Sequence, residues 1–383
     1  MIKRQRLLKT FLELARIPGL SKKEGKIAGE LANRLRALGL KVKFDRALSG
    51  EALTGNLIGY MEGSIPSPAL LLNAHIDTVG PIERWGYKKC GKYILSNGKS
   101  ILSADDRSGV AVILEVLAHL KESGQPRPRL EIVFTVAEEI GLIGAKNLDY
   151  SLLSAPCGIV LDSSNPLTPI VAAPEAYRLN FRIYGKEAHA GVAPERGLNA
   201  IKIASDAISR LKLGRIDYET TANIGIISGG TATNIVPKLV EVRGEARSHN
   251  PKKLKKQIEK MRQAFREAVK AWKKPGKDFA GLPKLEEEII FDYPRMRLTE
   301  RSLIVRLIKE AGKSLGKQII PTVGGGGSDA NIFNAHKIEC LIIGTGAERP
   351  HSLEERQNLE HLYLSAQILA KAIELYPSLN KTR

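Results

Sequence analysis

Residues 69–77 read ALLLNAHID, and this stretch decides how the rest of the chain is interpreted. The apolar run Ala69–Ala74 predicts a buried strand, and His75 and Asp77 follow at its end. Side chains two residues apart on a strand point the same way. His75 and Asp77 would therefore leave the sheet together, as a metal ligand and its neighbour do. Taken alone, such a pair is more often a histidine that is hydrogen-bonded to a nearby carboxylate. The rest of the chain decides between this explanation and a metal site.

Other apolar runs also end in acidic or histidine residues. Leu130–Ala137 predicts a strand followed by Glu138 and Glu139, and Gly158–Leu161 predicts another followed by Asp162. Two further candidates lie at the ends of predicted elements. Asp105 precedes the predicted helix Val110–Leu120, and His351 lies in the loop after the predicted strand Cys340–Ile343. Functional groups of open α/β sheets gather beyond the carboxyl ends of the strands. The sequence therefore predicts one shared site rather than scattered loop charges.

The predicted site combines two histidines with four carboxylates, without a thiolate. Imidazole and carboxylate ligands suit zinc, manganese or cobalt in a catalytic site. Two histidines and three carboxylates are too many for one tetrahedral zinc that keeps an open position. They suit two divalent ions about 3.5–4 Å apart with one bridging carboxylate, an arrangement that activates water. The remaining acidic residue is then available as a general base.

The order of these residues resembles that of the M20 family of metallopeptidases, in particular its peptidase T branch. The likeness is carried by His75-x-Asp77, Ala104-Asp105-Asp106, Glu138-Glu139, Asp162 and His351. Longer segments share it: residues 185–191 (GKEAHAG), 194–197 (PERG), 229–236 (GGTATNIV) and 325–331 (GGGSDAN). The resemblance therefore covers nearly the whole chain.

The resemblance implies a role for each residue of the predicted site. His75 and Asp162 would hold one metal ion, Glu139 and His351 would hold the other, and Asp105 would bridge the two. Asp77 would orient His75 and raise its basicity. The implied reaction is attack of a metal-bridging hydroxide on a peptide carbonyl, with Glu138 as the general base that passes the proton to the leaving amine.

The element pattern predicts an α/β protein of two domains. A mixed-sheet catalytic domain would occupy residues 1–175 and 294–383, and residues 176–293 would form an inserted α+β domain. The insert reads strand (Tyr177–Tyr184), helix (Leu198–Leu211), strand (Ala222–Ile227), strand (Val240–Ala246), helix (Leu254–Trp272) and strand (Glu286–Asp292). This βαββαβ order is that of a ferredoxin-like layer. The resemblance implies that the insert is a lid and the dimerisation domain of a homodimer.

Four residues are candidates for contact with the substrate: His189, Asn234, Arg247 and Ser328. From the residues alone, His189 would be a surface histidine and Arg247 would form a strand-end salt bridge. The resemblance implies instead that His189 stabilises the oxyanion, often in a partner subunit's active site, and that Asn234 and Arg247 contact substrate. The run Gly324–Gly327 lacks the Lys-Ser/Thr of a P-loop. It favours close approach of a loop to the substrate, with Ser328 as a contact.

The chain of 383 residues carries 59 Lys and Arg against 41 Asp and Glu, a formal net charge of +18. A basic nucleic-acid-binding protein is therefore a rival hypothesis. The basic residues are spread along the chain, and the short cluster Lys252–Lys256 lies at the start of an amphipathic helix whose charged side would face water. Aromatic residues that could stack on bases are not interleaved with such clusters. The pattern favours a protein without a nucleic acid partner.

The three cysteines, Cys90, Cys157 and Cys340, are far apart and form neither a zinc pattern nor a disulfide framework. This distribution indicates a reducing compartment, so we expect a cytoplasmic protein. The amphipathic helix predicted over Ile2–Ile17 has charged residues among its apolar ones, unlike a signal peptide or a membrane span. We expect no membrane partner.

Together these observations predict a zinc-dependent exopeptidase with two metal ions, with Mn²⁺ or Co²⁺ as alternatives. The expected substrates are short peptides, most simply di- and tripeptides with a free amino terminus, as for peptidase T. The alternative is an M20-type amidohydrolase, such as an N-acyl-amino-acid deacylase, an aminoacylase or a carboxypeptidase, since the same metal residues serve both reactions. Arg247 is a candidate carboxylate clamp for an enzyme of that kind.

Overall fold

The structure, a computed structural model, describes residues 1–45, 54–272 and 277–380. The chain divides into two compact units, unit 1 (Met1–Ala173 and Met296–Arg383) and unit 2 (Pro174–Arg295). Unit 2 extends two residues beyond each end of the predicted insert, 176–293. Unit 1 contains two sheets and unit 2 contains one, and each unit has its own apolar core.

The bounds of the helices and strands are as follows. In the described residues the helices are α1 (Arg4–Ala15), α2 (Gly25–Ala37), α3 (Ala104–Ser123), α4 (Ile143–Lys146), α5 (Ala200–Ser209), α6 (Pro251–Ala271), α7 (Leu303–Ser314), α8 (Asp329–Ala335) and α9 (Leu359–Asn380). The strands are β1 (Lys41–Phe44), β2 (Leu57–Met61), β3 (Leu70–His75), β4 (Tyr87–Cys90), β5 (Tyr93–Ser96), β6 (Leu130–Thr135), β7 (Cys157–Val160), β8 (Ile170–Ala173), β9 (Glu175–Tyr184), β10 (Gly214–Arg215), β11 (Thr220–Gly229), β12 (Leu239–Ser248), β13 (Lys284–Tyr293), β14 (Met296–Arg297), β15 (Thr322–Val323), β16 (Glu339–Ile342), β17 (Ala347–Glu348) and β18 (Arg356–Asn358).

Unit 1 is organised around a mixed sheet with strand order β1-β2-β6-β3-β7-β16-β8-β14, and β15 pairs with β8. The central strands β6, β3, β7 and β16 are parallel, whereas β2 and β8 run antiparallel to their central neighbours. Leu70, Leu71 and Leu72 of β3 are all fully buried, because a parallel strand is covered on both faces. Helices α3 and α7 pack on this sheet, and α1 and α9 pack against these two helices. This architecture confirms the predicted fold class.

A second sheet of unit 1 has the strand order β17-β18-β5-β4. Strand β18 pairs with both β17 and β5, so the loop between β17 and β18, residues 349–355, is closed by paired strands. This loop carries His351. This sheet is not predictable from the sequence, because its strands are only two to four residues long. Such strands are too short to show an alternating apolar pattern.

Unit 2 is a sheet of order β10-β11-β12-β9-β13 in which all neighbours are antiparallel. Its longer elements follow the predicted βαββαβ order, and the two-residue strand β10 is added at one edge. Helices α5 and α6 pack against each other and against the sheet. Phe181 of β9 stacks on Phe265 of α6 with ring centroids 3.9 Å apart. The predicted inserted α+β layer is thus confirmed.

Throughout the part of the chain that the structure describes, every helix is too short or too polar to cross a membrane.

Candidate metal centre

The parallel strands of unit 1 bring three of the predicted site segments to one edge of the main sheet. Strand β3 ends at His75, Glu138 follows the end of β6 by three residues, and Asp162 follows the end of β7 by two. Because the three strands run in the same direction, their carboxyl ends lie together. Glu138 and Asp162 are accordingly close enough to His75 for its charge to influence both carboxyl groups.

The carboxylate of Asp105 lies between two histidines. Its Oδ1 is 3.1 Å from Nε2 of His75, and its Oδ2 is 3.5 Å from Nε2 of His351. The same Nε2 atom of His351 lies 2.8 Å from Oε2 of Glu139. If two cations were bound, one beside each histidine, a carboxylate with one oxygen turned toward each imidazole would be suited to bridge them.

The donor atoms fit divalent metal ions. Single donor atoms of His75, Asp105 and Glu139 all lie within 4.8 Å of one another. Imidazole nitrogen and carboxylate oxygen are the ligands that zinc, manganese and cobalt accept. Removal from water and the nearby charge of Asp105 raise the pKa of the half-buried Asp162 well above its ordinary value. Divalent ions bound beside these carboxyl groups would oppose this shift, because their positive charge favours the ionised carboxylates.

Asp77 organises the segment that follows β6. Its Oδ1 accepts the N–H of Glu138 at 2.9 Å and its Oδ2 accepts the N–H of Glu139 at 3.2 Å. Nδ1 of His75 lies 3.3 Å from Oδ1, and the hydroxyl of Ser21 donates to Oδ2 at 2.7 Å. Burial opposes ionisation of Asp77, but the hydrogen bond with His75 lowers its pKa overall. One buried carboxylate therefore fixes a histidine and two acidic residues relative to one another.

The ionisation of the site reflects its excess of negative charge. Burial raises the pKa of Glu138 well above its ordinary value; His75 opposes the shift and Asp162 adds to it. Hydrogen bonds to Asp105 and Glu139 raise the pKa of His351 to about 10. Bound cations would lower the pKa of both groups, which favours an ionised Glu138 and a neutral His351.

The loop between α1 and α2 also contributes to the site, which was not predicted from the sequence. Besides Ser21, this loop carries Glu24, whose Oε1 accepts the N–H groups of Ala137 and Lys22, each at 2.9 Å. Ala137 has a positive φ of 50° and immediately precedes Glu138, so Glu24 supports the turn that presents Glu138. No local signal reveals this role, because Glu24 and Ala137 are 113 positions apart.

Ser328 begins helix α8. Its Oγ accepts the N–H of Ala330 at 3.2 Å, and its own N–H donates to Oδ1 of Asn331 at 3.1 Å. These bonds form a capping box, and Ser328 is buried. The Ser-x-x-Asn spacing is a signal that could have predicted this helix. Contact of Ser328 with substrate stays a prediction.

His189 and Asn234 are exposed on neighbouring loops of unit 2. The residue after His189 donates its N–H to the carbonyl oxygen of Asn234 at 2.8 Å. Nδ1 of His189 accepts the N–H groups of Gly191 and Val192, both at 3.2 Å. A neutral imidazole that accepts at Nδ1 carries its hydrogen on Nε2. His189 is therefore prepared to donate a hydrogen bond from its exposed edge.

Arg247 lies near the end of β12, and its Nη2 donates to Oε2 of Glu245 at 2.8 Å. The salt bridge that the sequence indicated is therefore present. Contact of Arg247 with substrate stays a prediction.

Two parts of the chain match known protein families. Residues 176–273 match the M20 peptidase dimerisation domain, and residues 56–167 match peptidase family M28. The first range falls within unit 2 and the second within unit 1.

Relatives match the chain over its whole length. Protein YqjE of Bacillus subtilis, described as uncharacterised, is 39% identical over 379 residues, which cover 98% of this chain and 99% of that protein. The crystal structure of a tripeptidase from Staphylococcus aureus matches with a TM-score of 0.91 and 38% identity, covering 99% of this chain and 100% of that one. The structure of aminopeptidase PepT from Bacillus cereus matches with a TM-score of 0.85 and 36% identity, covering 98% of this chain and 99% of that one. The similarity thus extends over both units.

Proposed function

Because the chain belongs to the M20 family of metallopeptidases, we propose that it is a dinuclear-metal aminopeptidase acting on di- and tripeptides. The observation that carries the proposal is the position of the Asp105 carboxylate between His75 and His351. The choice of substrate is supported by the similarity to a tripeptidase and to an aminopeptidase over the whole chain.

The proposed metal residues divide into two sets that share Asp105. His75 and Asp162 would hold one ion, and Glu139 and His351 would hold the other. We propose Zn²⁺ as the metal, with Mn²⁺ and Co²⁺ as alternatives that accept the same ligands. When bound, such ions lower the pKa of a coordinated water and polarise the carbonyl of the substrate.

Glu138 is the proposed general base. Its backbone N–H is held by Asp77 at 2.9 Å, so its side chain starts from a fixed position beside the metal residues. One Oε atom of Glu138 would take the proton of the attacking water and later deliver it to the leaving amine. Asp77 would act through its contacts with His75, Glu138 and Glu139 rather than on the substrate.

Unit 2 supplies the proposed groups for the substrate. His189 would donate from Nε2 to the oxyanion, a contact that grows stronger as charge develops on the carbonyl oxygen. Asn234 and Arg247 would contact other parts of the peptide, and Ser328 of unit 1 would approach it from the glycine-rich loop. We propose that the enzyme is a homodimer formed through unit 2, which is supported by the match of residues 176–273 to a dimerisation domain.

We place the enzyme in the cytoplasm because its three cysteines are widely spaced. That usage is typical of reducing compartments.

The experiment is hydrolysis of a substrate panel by the purified protein reconstituted with Zn²⁺, Mn²⁺ or Co²⁺. The panel contains di- and tripeptides with free or acetylated amino termini and N-acetyl amino acids, and metal-stripped protein is the control. We expect cleavage of free-amine peptides and its loss on acetylation. Turnover of N-acetyl amino acids alone would replace this function by the amidohydrolase alternative, in which Arg247 would bind the carboxylate.

A further inference from the structure

We propose that Glu355 is a positioning residue that holds the Asp105 carboxylate at a fixed place relative to His351. The proposal rests on the proposed function, because it assumes that Asp105 bridges two metal ions and that His351 binds one of them. Its basis is a set of hydrogen bonds between the two segments that carry these residues.

The carboxylate of Glu355 accepts three backbone hydrogen bonds from the segment that ends in Asp105. Oε2 accepts the N–H groups of Leu102 at 2.7 Å and Ser103 at 2.9 Å. Oε1 accepts the N–H of Asp105 itself at 3.0 Å. Glu355 is only 1% exposed, so water cannot readily replace it as the acceptor. Loss of a carboxylate oxygen would leave buried N–H groups unpaired and allow this backbone to shift.

Glu355 is also fixed to the loop of His351. Its N–H donates to the carbonyl oxygen of Ser352 at 3.1 Å, and its carbonyl oxygen accepts the N–H of Ser96 at 3.0 Å. Its backbone therefore belongs to the His351 loop, while its side chain holds the backbone of Asp105. The 3.5 Å separation between Asp105 Oδ2 and His351 Nε2 depends on this connection.

A second contact joins neighbouring parts of the chain, between Ser108 of α3 and Thr345, which precedes β17. Their hydroxyl oxygens are 2.6 Å apart, and Ser108 also donates to the carbonyl oxygen of Ala104 at 2.7 Å. This contact involves a residue that follows Asp105 in the chain, whereas Glu355 binds the N–H groups of Asp105 and of residues that precede it. Only the Glu355 contact includes the backbone N–H of the bridging residue, so it has the more direct influence on the metal ions.

Glu131 provides a matched control within unit 1. It is also a buried glutamate, and its carboxylate accepts the N–H of Ser154 at 2.9 Å, the N–H of Ala155 at 3.0 Å and the hydroxyl of Ser154 at 2.6 Å. Glu131 lies near the amino end of β6, whereas the metal residues follow the carboxyl end. Glu355→Gln and Glu131→Gln therefore make the same chemical change at opposite ends of the sheet.

The test is titration of metal-free wild-type, Glu355→Gln and Glu131→Gln proteins with Co²⁺, followed by calorimetry and by the visible absorption of bound cobalt. We expect Glu355→Gln to weaken Co²⁺ binding about 10–100-fold, the range for partners that orient metal ligands. A glutamine offers one acceptor oxygen in place of two, and its NH₂ group would face a backbone N–H. We expect Glu131→Gln to match the wild type. Wild-type affinity and spectrum in Glu355→Gln would overturn the proposal.

The titration decides the role of Glu355 independently of peptide turnover. Failure of the proposed substrate class would be seen separately, as a wild-type protein that binds two Co²⁺ ions and hydrolyses no member of the panel. If Glu355→Gln does not fold, Glu355→Asp takes its place, since it keeps the charge and withdraws the carboxylate by one methylene. We expect weakened Co²⁺ binding by that variant, and binding equal to the wild type would overturn the proposal.

Discussion

Oδ1 of Asp77 accepts a hydrogen bond from the backbone N–H of Glu138 over 2.9 Å. The strand that ends at His75 and the strand that precedes Glu138 are neighbours in the sheet, so this bond joins the ends of two parallel strands. The proposed general base therefore takes its position from the residue that also contacts the proposed ligand His75.

Replacing Asp77 by Asn should lower kcat/KM about 10–100-fold, because the amide cannot accept both N–H groups and orient His75 as the carboxylate does. Ser21→Ala is the control, since it removes one hydrogen bond to Asp77 (2.7 Å) and leaves the carboxylate in place. We expect a smaller loss in that control. Peptide hydrolysis and metal content measured on both variants test this, and a wild-type rate for Asp77→Asn would refute the positioning role.

Replacing Glu138 by Gln should lower kcat about 10²–10⁴-fold, the usual contribution of a general base. Glutamine has nearly the same shape and cannot take up the proton, so the metal content should stay at the wild-type level. Metal analysis and steady-state kinetics on the same preparation are the measurements. Retained turnover would remove Glu138 from the role of base.

Replacing His189 by Ala should lower turnover about 10²–10³-fold if Nε2 supports the oxyanion, with unchanged metal content. Mixed dimers of Glu138→Gln and His189→Ala chains show which subunit supplies the histidine. If it comes from the partner, one of the two sites in each mixed dimer is intact, and about half of the wild-type activity returns. A mixed dimer as inactive as its parents would place His189 in its own subunit's site or outside catalysis.

Replacing Ile226 by Arg should disrupt the proposed homodimer. Ile226 and Ile227 of β11 are 54% and 51% exposed, and in the described residues β11 is covered on its outer side only by β10, at residues 221–222. An uncovered apolar edge of this kind is a surface for pairing with another chain. Light scattering should show a molar mass about half that of the wild type. Ile320→Arg, which changes an exposed isoleucine of unit 1, should leave the mass unchanged.

Much of the fold and of the candidate site follows from short patterns in the sequence. Buried strands such as β3 and β7 appear as apolar runs, and the polar residue after each run marks the edge where functional groups meet. The βαββαβ order of unit 2 is equally visible, because its helices and strands are long enough to show their periods. These features depend on residues that are near one another in the chain.

The supporting contacts could not be predicted in this way. Glu24 and Glu355 look like ordinary surface acids in the sequence, yet both are buried and hold backbone N–H groups more than a hundred positions away. Such a role depends on how distant segments pack, and no local spacing records it. The same limit applies to the short strands β17 and β18, which are defined by pairing with each other and, for β18, with the distant strand β5.

The most direct test of the account is a crystal structure of the protein grown with Zn²⁺ or Mn²⁺, with anomalous diffraction used to locate the ions. We predict two peaks about 3.5–4 Å apart, one beside His75 and Asp162, the other beside Glu139 and His351, with one oxygen of Asp105 on each. A single ion, or two ions that Asp105 does not bridge, would contradict the proposed dinuclear centre.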